Sequence, residues 1–446
     1  MSFNETISFS MTLGTAKMHE ENIIKNQRID LLKFATIYGA NASGKSNLVS
    51  AIAISREVIV GGLQDLDMIS KYNRNHTINE KRDTRFEYEI LLNNRIYSFG
   101  FSVNARENKI TKEWLYDITS EEIVVYTRDI RVNINENYLN FDSSTMSRLK
   151  IYAEDFAGLD NIIFLSYLNK EKSKLTSTKS SSIFSDIFEW FTECLEVISP
   201  EEATSDFGYT YHSEKSLDKL GEFLKLNDTG ITKVVFETTE EKMKGIPTEL
   251  EKKLKDKIYS ELRKKNKTKN KRIAILSRTP MNIYKFTCDN GEVAMNVVRF
   301  IHGEDGVKFN FDEESDGTRR LIELFSIVSN QKKNKVFIVD ELDRSLHPLL
   351  TLNFISSFLK NSFKNQLIVT THEDRLLDLS ILRRDEIWFV KKNSIGDSSL
   401  YSLEEFKERF DKNIMNAYLN GRYGATPNTK LFFSSIVENS EEHIGD

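Results

Sequence analysis

Apolar and polar positions change rhythm several times along this chain, and each rhythm predicts an element. Residues 2–11 alternate, with Phe3, Ile7, Phe9 and Met11 as the apolar members, in the manner of a half-buried strand. Residues 31–38 (LLKFATIY) form a short apolar run that stops at Gly39, which predicts a buried strand entering a loop. Residues 45–60 take helical spacing. Residues 85–103 read as two strands around the turn Asn93-Asn94, and 121–127 as another. The pattern shifts near residue 166. Residues 170–182 are Ser- and Lys-rich, which predicts a loop or disordered segment. Residues 183–265 read as largely helical, with Trp190 and Phe191 as apolar anchors. Strand-like runs return from 273, a helix is expected at 318–329, and strands at 335–340, 366–371 and 386–391.

Strands alternating with helices argue for an α/β core. The expected architecture is a mixed sheet flanked by helices, with a largely helical insertion. Its parts are an N-terminal lobe at 1–165, the insertion at 166–285 and a C-terminal lobe at 286–446. No internal repeat or sustained heptad pattern appears in the sequence.

Composition narrows the class. The chain has 446 residues, 39% hydrophobic and 29% charged, with a net charge of -5. That describes an ordinary globular protein without a global basic field, so a nucleic-acid contact would need a local patch. Cys194 and Cys288 lie far apart without metal-ligand spacing, which fits a reducing compartment. The N-terminal segment lacks the charged and apolar regions of a signal peptide, and no run approaches the ~18 apolar residues of a membrane span. A cytoplasmic protein is expected.

Three motifs carry chemistry. Gly39-Ala40-Asn41-Ala42-Ser43-Gly44-Lys45-Ser46 is a G-x4-G-K-S run between a predicted strand and a predicted helix. Its backbone N–H groups would cradle phosphates at a helix N-terminus, with Gly39, Asn41, Ser43, Gly44 and Asn47 forming the cradle. Lys45 would reach the β- and γ-phosphates, and the Ser46 hydroxyl would ligate Mg2+. In the second motif, Val336–Val339 end in Asp340 and Glu341, two carboxylates at the C-terminal edge of a buried strand. Asp340 suits a Mg2+ role and Glu341 a general base for attacking water. The third, Glu-Ser-Asp-Gly-Thr-Arg-Arg-Leu at 314–321, precedes a helix some 20 residues before Asp340. ABC-type ATPases carry a Ser-x-Gly signature in this place, facing the γ-phosphate held by the opposite subunit; Ser315 and Gly317 fit it. A plain helix N-cap accounts for the same serine.

Further features extend this likeness. Leu342–Pro348 stands where ABC-type proteins have the D-loop, and His372, after Thr370-Thr371, matches the switch histidine. GANASGKSN, EESDGTRRL, VDELDRSLHP, TTHEDRLLD, RRDEIWFV and YLNGRYGATPN together resemble the ATPases of bacterial anti-phage systems: the AbiL-type, RloA-type and PARIS-type proteins, themselves related to RecF, Rad50 and the OLD proteins. The likeness covers 1–165 and 286–428 and implies an ATP- and Mg2+-dependent ATPase acting as a homodimer or higher oligomer. It also implies a separate effector, such as a TOPRIM-type nuclease. One departure is plain: no Gln lies between Gln64 and Gln331, where the Q-loop belongs. Only 74 residues follow His372, too few for a fused nuclease domain of the OLD kind.

The run 263–272 holds seven positive charges and no negative one. A solvated tip, a phosphate contact to nucleic acid and a site for an acidic partner are all open readings; aromatic interleaving for base stacking is absent. Two rival functions remain beside the anti-phage reading: a DNA-repair ATPase of the RecF kind, and a scaffold that binds ATP tightly and barely turns it over.

Overall fold

The computed structural model describes residues 1–64, 66, 68, 71–172, 182–199, 213–269, 273–279, 281–289, 292–329, 334–360, 364–406 and 414–426. They form two compact units, Met1–Glu193 with Ile368–Asp446, and Cys194–Leu367. The expected boundaries at 165/166 and 285/286 do not coincide with this division. The reason is strand pairing across the middle region, described below. Among the described residues no helix is long and apolar enough to cross a membrane.

In the first unit, β1 (Ile23–Ile24) and β2 (Leu31–Leu32) make a two-stranded ladder, and β3 (Phe34–Tyr38) is buried throughout. Helix α1 (Lys45–Gly61) follows after the glycine loop. A five-stranded antiparallel sheet runs in chain order through β4 (Asp83–Leu92), β5 (Arg95–Asn104), β6 (Lys109–Asp117), β7 (Ile123–Arg128) and β8 (Val132–Ile134). Asn93 and Asn94 close its first hairpin with φ of 49° and 64°, the conformation that a tight primed turn demands and asparagine tolerates. Short helices α2 (Glu136–Leu139), α3 (Ser143–Asp155), α4 (Phe164–Lys170) and α5 (Ser182–Glu189) follow, α5 running into a π turn at Trp190–Cys194. The anchors expected at Trp190 and Phe191 pack against Tyr88, with Phe191 also on Phe99.

Residues 2–11, despite their alternation, are not paired into a strand. Only their end meets β2, Leu32 N–H donating to Met11 O at 2.8 Å and the next residue, Thr12, bridging Leu31, while Phe9 rests on Trp388 and Ser2 O accepts Ser398 N–H. Alternation supplies a face, but a strand also needs a partner ladder.

The second unit starts with β9 (Leu195–Ile198) and α6 (Glu214–Leu226), followed by β10 (Ile231–Thr238) and α7 (Thr248–Lys269). Then come β11 (Ile273–Arg278), β12 (Ile283–Asp289), β13 (Glu292–His302), β14 (Val307–Phe309), α8 (Asp316–Ser329), β15 (Val336–Val339) and α9 (Pro348–Lys360). The region expected to be largely helical does hold α6 and α7, but it also supplies strands. Antiparallel pairing runs β10-β13-β12-β11, so β10 lies against a strand some sixty residues later, and β9 pairs with β15 in parallel. One core joins Leu217, Leu220 and Leu224 of α6 to Val234, Val298 and Phe300 of the sheet and to Leu321, Ile322 and Phe325 of α8. The side chains of 263–272 lie outside the described residues.

The chain re-enters the first unit through β16 (Gln366–Thr370). It ends in β17 (Ile387–Lys392), β18 (Ser398–Ser402) and α10 (Ile414–Leu419). Within this unit the order is β18-β17-β3-β16, with β17 parallel to β3 and antiparallel to β18. The fold class is α/β, with mixed sheets flanked by helices.

Candidate nucleotide-binding site

The buried strand β3 delivers the chain to Gly39, and the loop closes on itself where Ser43 N–H donates to Ala40 O at 3.1 Å. Ala42 and Gly44 adopt left-handed backbone, φ 61° and 117°. Such alternation turns successive N–H groups inward, as an anion cradle requires. Gly44 has no room for a side chain: a Cβ would stand 2.5 Å from both Ser2 Oγ and Ser398 Oγ. The buried Lys45 folds its Nζ back into the loop, 2.7 Å from Gly39 O and 3.3 Å from Ala40 O. Ser43 is buried, and its Oγ has no hydrogen-bond partner. Asn41 and Ser46 are exposed and Asn47 is half-buried. These are features suited to a phosphate chain: inward donors, a lysine turned into the loop, and an unpartnered hydroxyl.

Sequence reasoning missed what braces this loop. Ser398 Oγ donates to Ser43 O at 2.5 Å, and Ser398 N–H to Ser2 O at 2.8 Å. Ser2 O also accepts from Asn73 Nδ2, which donates to Asp397 as well, and Asp397 pairs with His76 at 2.7 Å. Nothing local in the sequence marks this set, because its members come from three distant segments.

His372 stands exposed just past β16. Thr371 N–H donates to Ile37 O at 3.3 Å, so the ends of β3 and β16 lie side by side, with His372 beside the strand that launches the glycine loop. The tail segment packs behind the same strands. Tyr418 and Tyr423 stack on Phe389 at ring distances of 5.8 and 5.0 Å, and Tyr418 lies 5.7 Å from Tyr38. Its last two residues, 427 and 428, lie outside the described residues.

The second unit carries the remaining motif residues. β15 is buried throughout and ends at Asp340, itself buried, whose N–H extends the parallel ladder to Ile198 O at 2.9 Å. Glu341 is half-buried and takes φ 48°, left-handed for a residue with a Cβ. The following turn closes through Arg344 N–H to Glu341 O at 3.1 Å and Leu346 N–H to Asp343 O at 3.0 Å, and Pro348 opens α9.

Ser315 is the N-cap of α8. Its Oγ accepts Thr318 N–H at 3.1 Å and lies 2.8 Å from Thr318 Oγ1, yet Ser315 and Asp316 are exposed. The structural cap and the outward-facing serine are therefore the same feature. Gly317 sits where a Cβ would come 2.8 Å from Ser345 O, so glycine lets the helix start touch the turn after Glu341. Just before, the buried Glu314 pairs with His302 at 2.8 Å, and burial raises its carboxyl above the usual range while His302 opposes this. Sequence reasoning also missed Arg320, buried on α8 and donating to Asp340 O and Glu341 O. The signal was present: a cation on the helix face that Leu321 and Leu324 bury.

The first unit thus gathers Gly39, Asn41, Ser43, Gly44, Lys45, Ser46, Asn47 and His372, and the second gathers Ser315, Gly317, Asp340 and Glu341. Among the described residues no group of three or more His, Cys, Asp or Glu could hold a metal alone. Each unit separately offers a hard oxygen donor of the kind Mg2+ takes, the exposed Ser46 in the first and the strand-end Asp340 in the second.

A buried strand, a glycine loop and a helix whose first lysine turns into the loop define a P-loop nucleotide-binding protein. Residues 34–378 match the family described as "AAA domain, putative AbiEii toxin, Type IV TA system". The chain belongs to that family of AAA ATPases. No curated protein matches it. Among solved structures it is similar to an SMC head bound to the C-winged helix domain of ScpA, at 14% identity over 84% of this chain and 93% of that one, TM-score 0.37. It is also similar to the SMC head domain from Thermotoga maritima, at 12% identity over 82% of this chain and 89% of that one, TM-score 0.31. Likenesses of this size carry no weight for fold or function.

Proposed function

We propose that the protein binds and hydrolyses ATP as an ABC-type ATPase whose site is completed by a second copy. In this reading Lys45, Ser46, Asp340, Glu341 and His372 of one copy engage the nucleotide, and Ser315 and Gly317 of the other close over its γ-phosphate. The observation that carries it is the exposed Ser315 at the N-terminus of α8, a fourteen-residue helix whose positive end is available to an anion outside its own unit. Water attacks the γ-phosphorus in line, the bond to the β–γ bridging oxygen breaks, and ADP leaves with the electron pair. Glu341 takes the proton of the attacking water, His372 orients the γ-phosphate, and Lys45 and the loop N–H groups hold the charge of the phosphates. Mg2+ held by Ser46 and Asp340 would supply further charge neutralisation there.

In the cell the proposed role is the sensor or scaffold of an anti-phage, abortive-infection system that restrains a separate effector, such as a nuclease. The family description, which names a putative AbiEii toxin of a Type IV TA system, supports a place in such a system, and the restraint of a separate effector rests on the motif resemblance. Lys45→Ala should abolish ATP binding in calorimetry; retained binding refutes the loop assignment. Glu341→Gln should trap an ATP-bound dimer or larger oligomer. Size-exclusion profiles unchanged by ATP would refute the sandwich. Strong DNA stimulation of turnover would favour a repair ATPase instead, and stable ATP-bound oligomers with negligible turnover a scaffold.

A further inference from the structure

Arg320 is a buried cation beside the proposed chemistry. Its guanidinium is buried with 4% of the residue exposed, and burial is the main influence lowering its proton affinity. One carboxylate faces it, Glu323 Oε2 at 3.3 Å, itself partly exposed; Asp343 and Arg344 are the other charged groups acting on it, with opposite signs. Desolvating an arginine costs several kcal/mol unless its protons are well used.

Nη1 goes to the Glu323 carboxylate, the buried Nε has no hydrogen-bond partner, and Nη2 is used on backbone. Nη2 donates to Asp340 O at 3.0 Å and to Glu341 O at 2.8 Å. Glu341 lies in the left-handed region at φ 48°, a conformation that costs a residue with a Cβ about 1 kcal/mol and persists only when its surroundings impose it. The same α8 touches the turn a second time, where Gly317 stands against Ser345 O. Helix and turn are thereby one piece, with Ser315 at one end and the Glu341 peptide at the other.

We infer that Arg320 is a positioning residue for hydrolysis: it fixes the Glu341 peptide in its left-handed conformation, aims the carboxylate, and ties that aim to the helix that bears Ser315. This rests on the ATPase reading above and assigns a duty within it. Seating Ser315 on the nucleotide of one site would then be felt at the carboxylate of the other. A purely structural helix needs no guanidinium here, since a hydrophobic side chain of similar length would fill the same space.

The test is ATP turnover by the full chain carrying Arg320→Met or Arg320→Lys, with phosphate release measured over a range of ATP concentrations and ATP affinity by calorimetry. The Met variant should lose roughly ten-fold or more in kcat with KM and Kd within about two-fold of wild type, as expected when only an interaction at the reacting centre is lost. The Lys variant, which reaches one carbonyl but not both, should fall between and carries the test if the Met variant does not fold. Adding Arg320→Met to Glu341→Gln should cause no further loss, because the positioned group is already disabled. Normal kcat in both Arg320 variants overturns the inference while leaving the ATPase reading intact. So does a KM rise matching the kcat fall, or a loss that multiplies in the double variant. A wild-type chain that neither binds nor hydrolyses ATP overturns both.

Discussion

Glu386 offers a test of how burial sets charge in this fold. It ends the turn at Arg384–Glu386 and is fully buried. Oε2 accepts Arg383 N–H at 2.7 Å and Asn22 Nδ2 at 3.1 Å, whereas Oε1 has no hydrogen-bond partner. Burial therefore pushes its carboxyl up to about 8, with the two hydrogen bonds opposing, neighbouring Asp385 adding to the rise and Arg383 offsetting it. The folded protein keeps this proton while an unfolded chain loses it near the ordinary carboxylate value. Between those two values the native state binds more protons than the unfolded one, so stability falls as pH rises. At about 1.36 kcal/mol per unit, the loss between about pH 5 and about pH 8 is about 3.5 kcal/mol as an upper figure, and local water entry would reduce it. Glu386→Gln keeps the acceptor toward Arg383 and Asn22 but carries no proton to lose. Denaturant unfolding of both proteins across that pH range, taken as a difference, cancels the other titrating groups. The variant should gain on the wild type steadily as pH rises. Parallel curves, within about 0.5 kcal/mol throughout, would show that Glu386 is ionised or solvated in the native state and that this reasoning fails.

Two further predictions concern packing. Gly317→Ala places a Cβ 2.8 Å from Ser345 O, so the turn after Glu341 must move. The expected cost is about 1–2 kcal/mol of stability together with loss of the ATP-dependent dimer in a Glu341→Gln background, read by size exclusion, and an unchanged dimer counts against the composite site. Glu113 is buried and accepts Phe164 N–H at 2.8 Å, Leu165 N–H at 3.1 Å and Tyr126 Oη at 2.6 Å, with Arg128 3.6 Å away. Glu113→Ala strands those donors and the Arg128 charge, so thermal unfolding should report a loss of about 3–5 kcal/mol; a shift no larger than that of a surface substitution refutes the network's role.

The features legible in one dimension are local. The strand, glycine loop and helix at 34–61 are legible because the loop's chemistry is written in consecutive residues and the flanking periodicities differ. Ser315 at the start of α8 and the carboxylates after β15 are legible for the same reason, since capping and strand-end placement depend on neighbours within a turn. The rest came from long-range packing. The alternation at 2–11 found no ladder, and the middle region gave a strand to β13 that no spacing in the sequence foretold. Ser2 and Ser398 converge on the P-loop from opposite ends of the chain, and Arg320 meets the carbonyls of Asp340 and Glu341 across some twenty residues. Strand pairing and the satisfaction of a buried charge depend on which distant atoms arrive at the same place, and no one-dimensional pattern encodes that arrival.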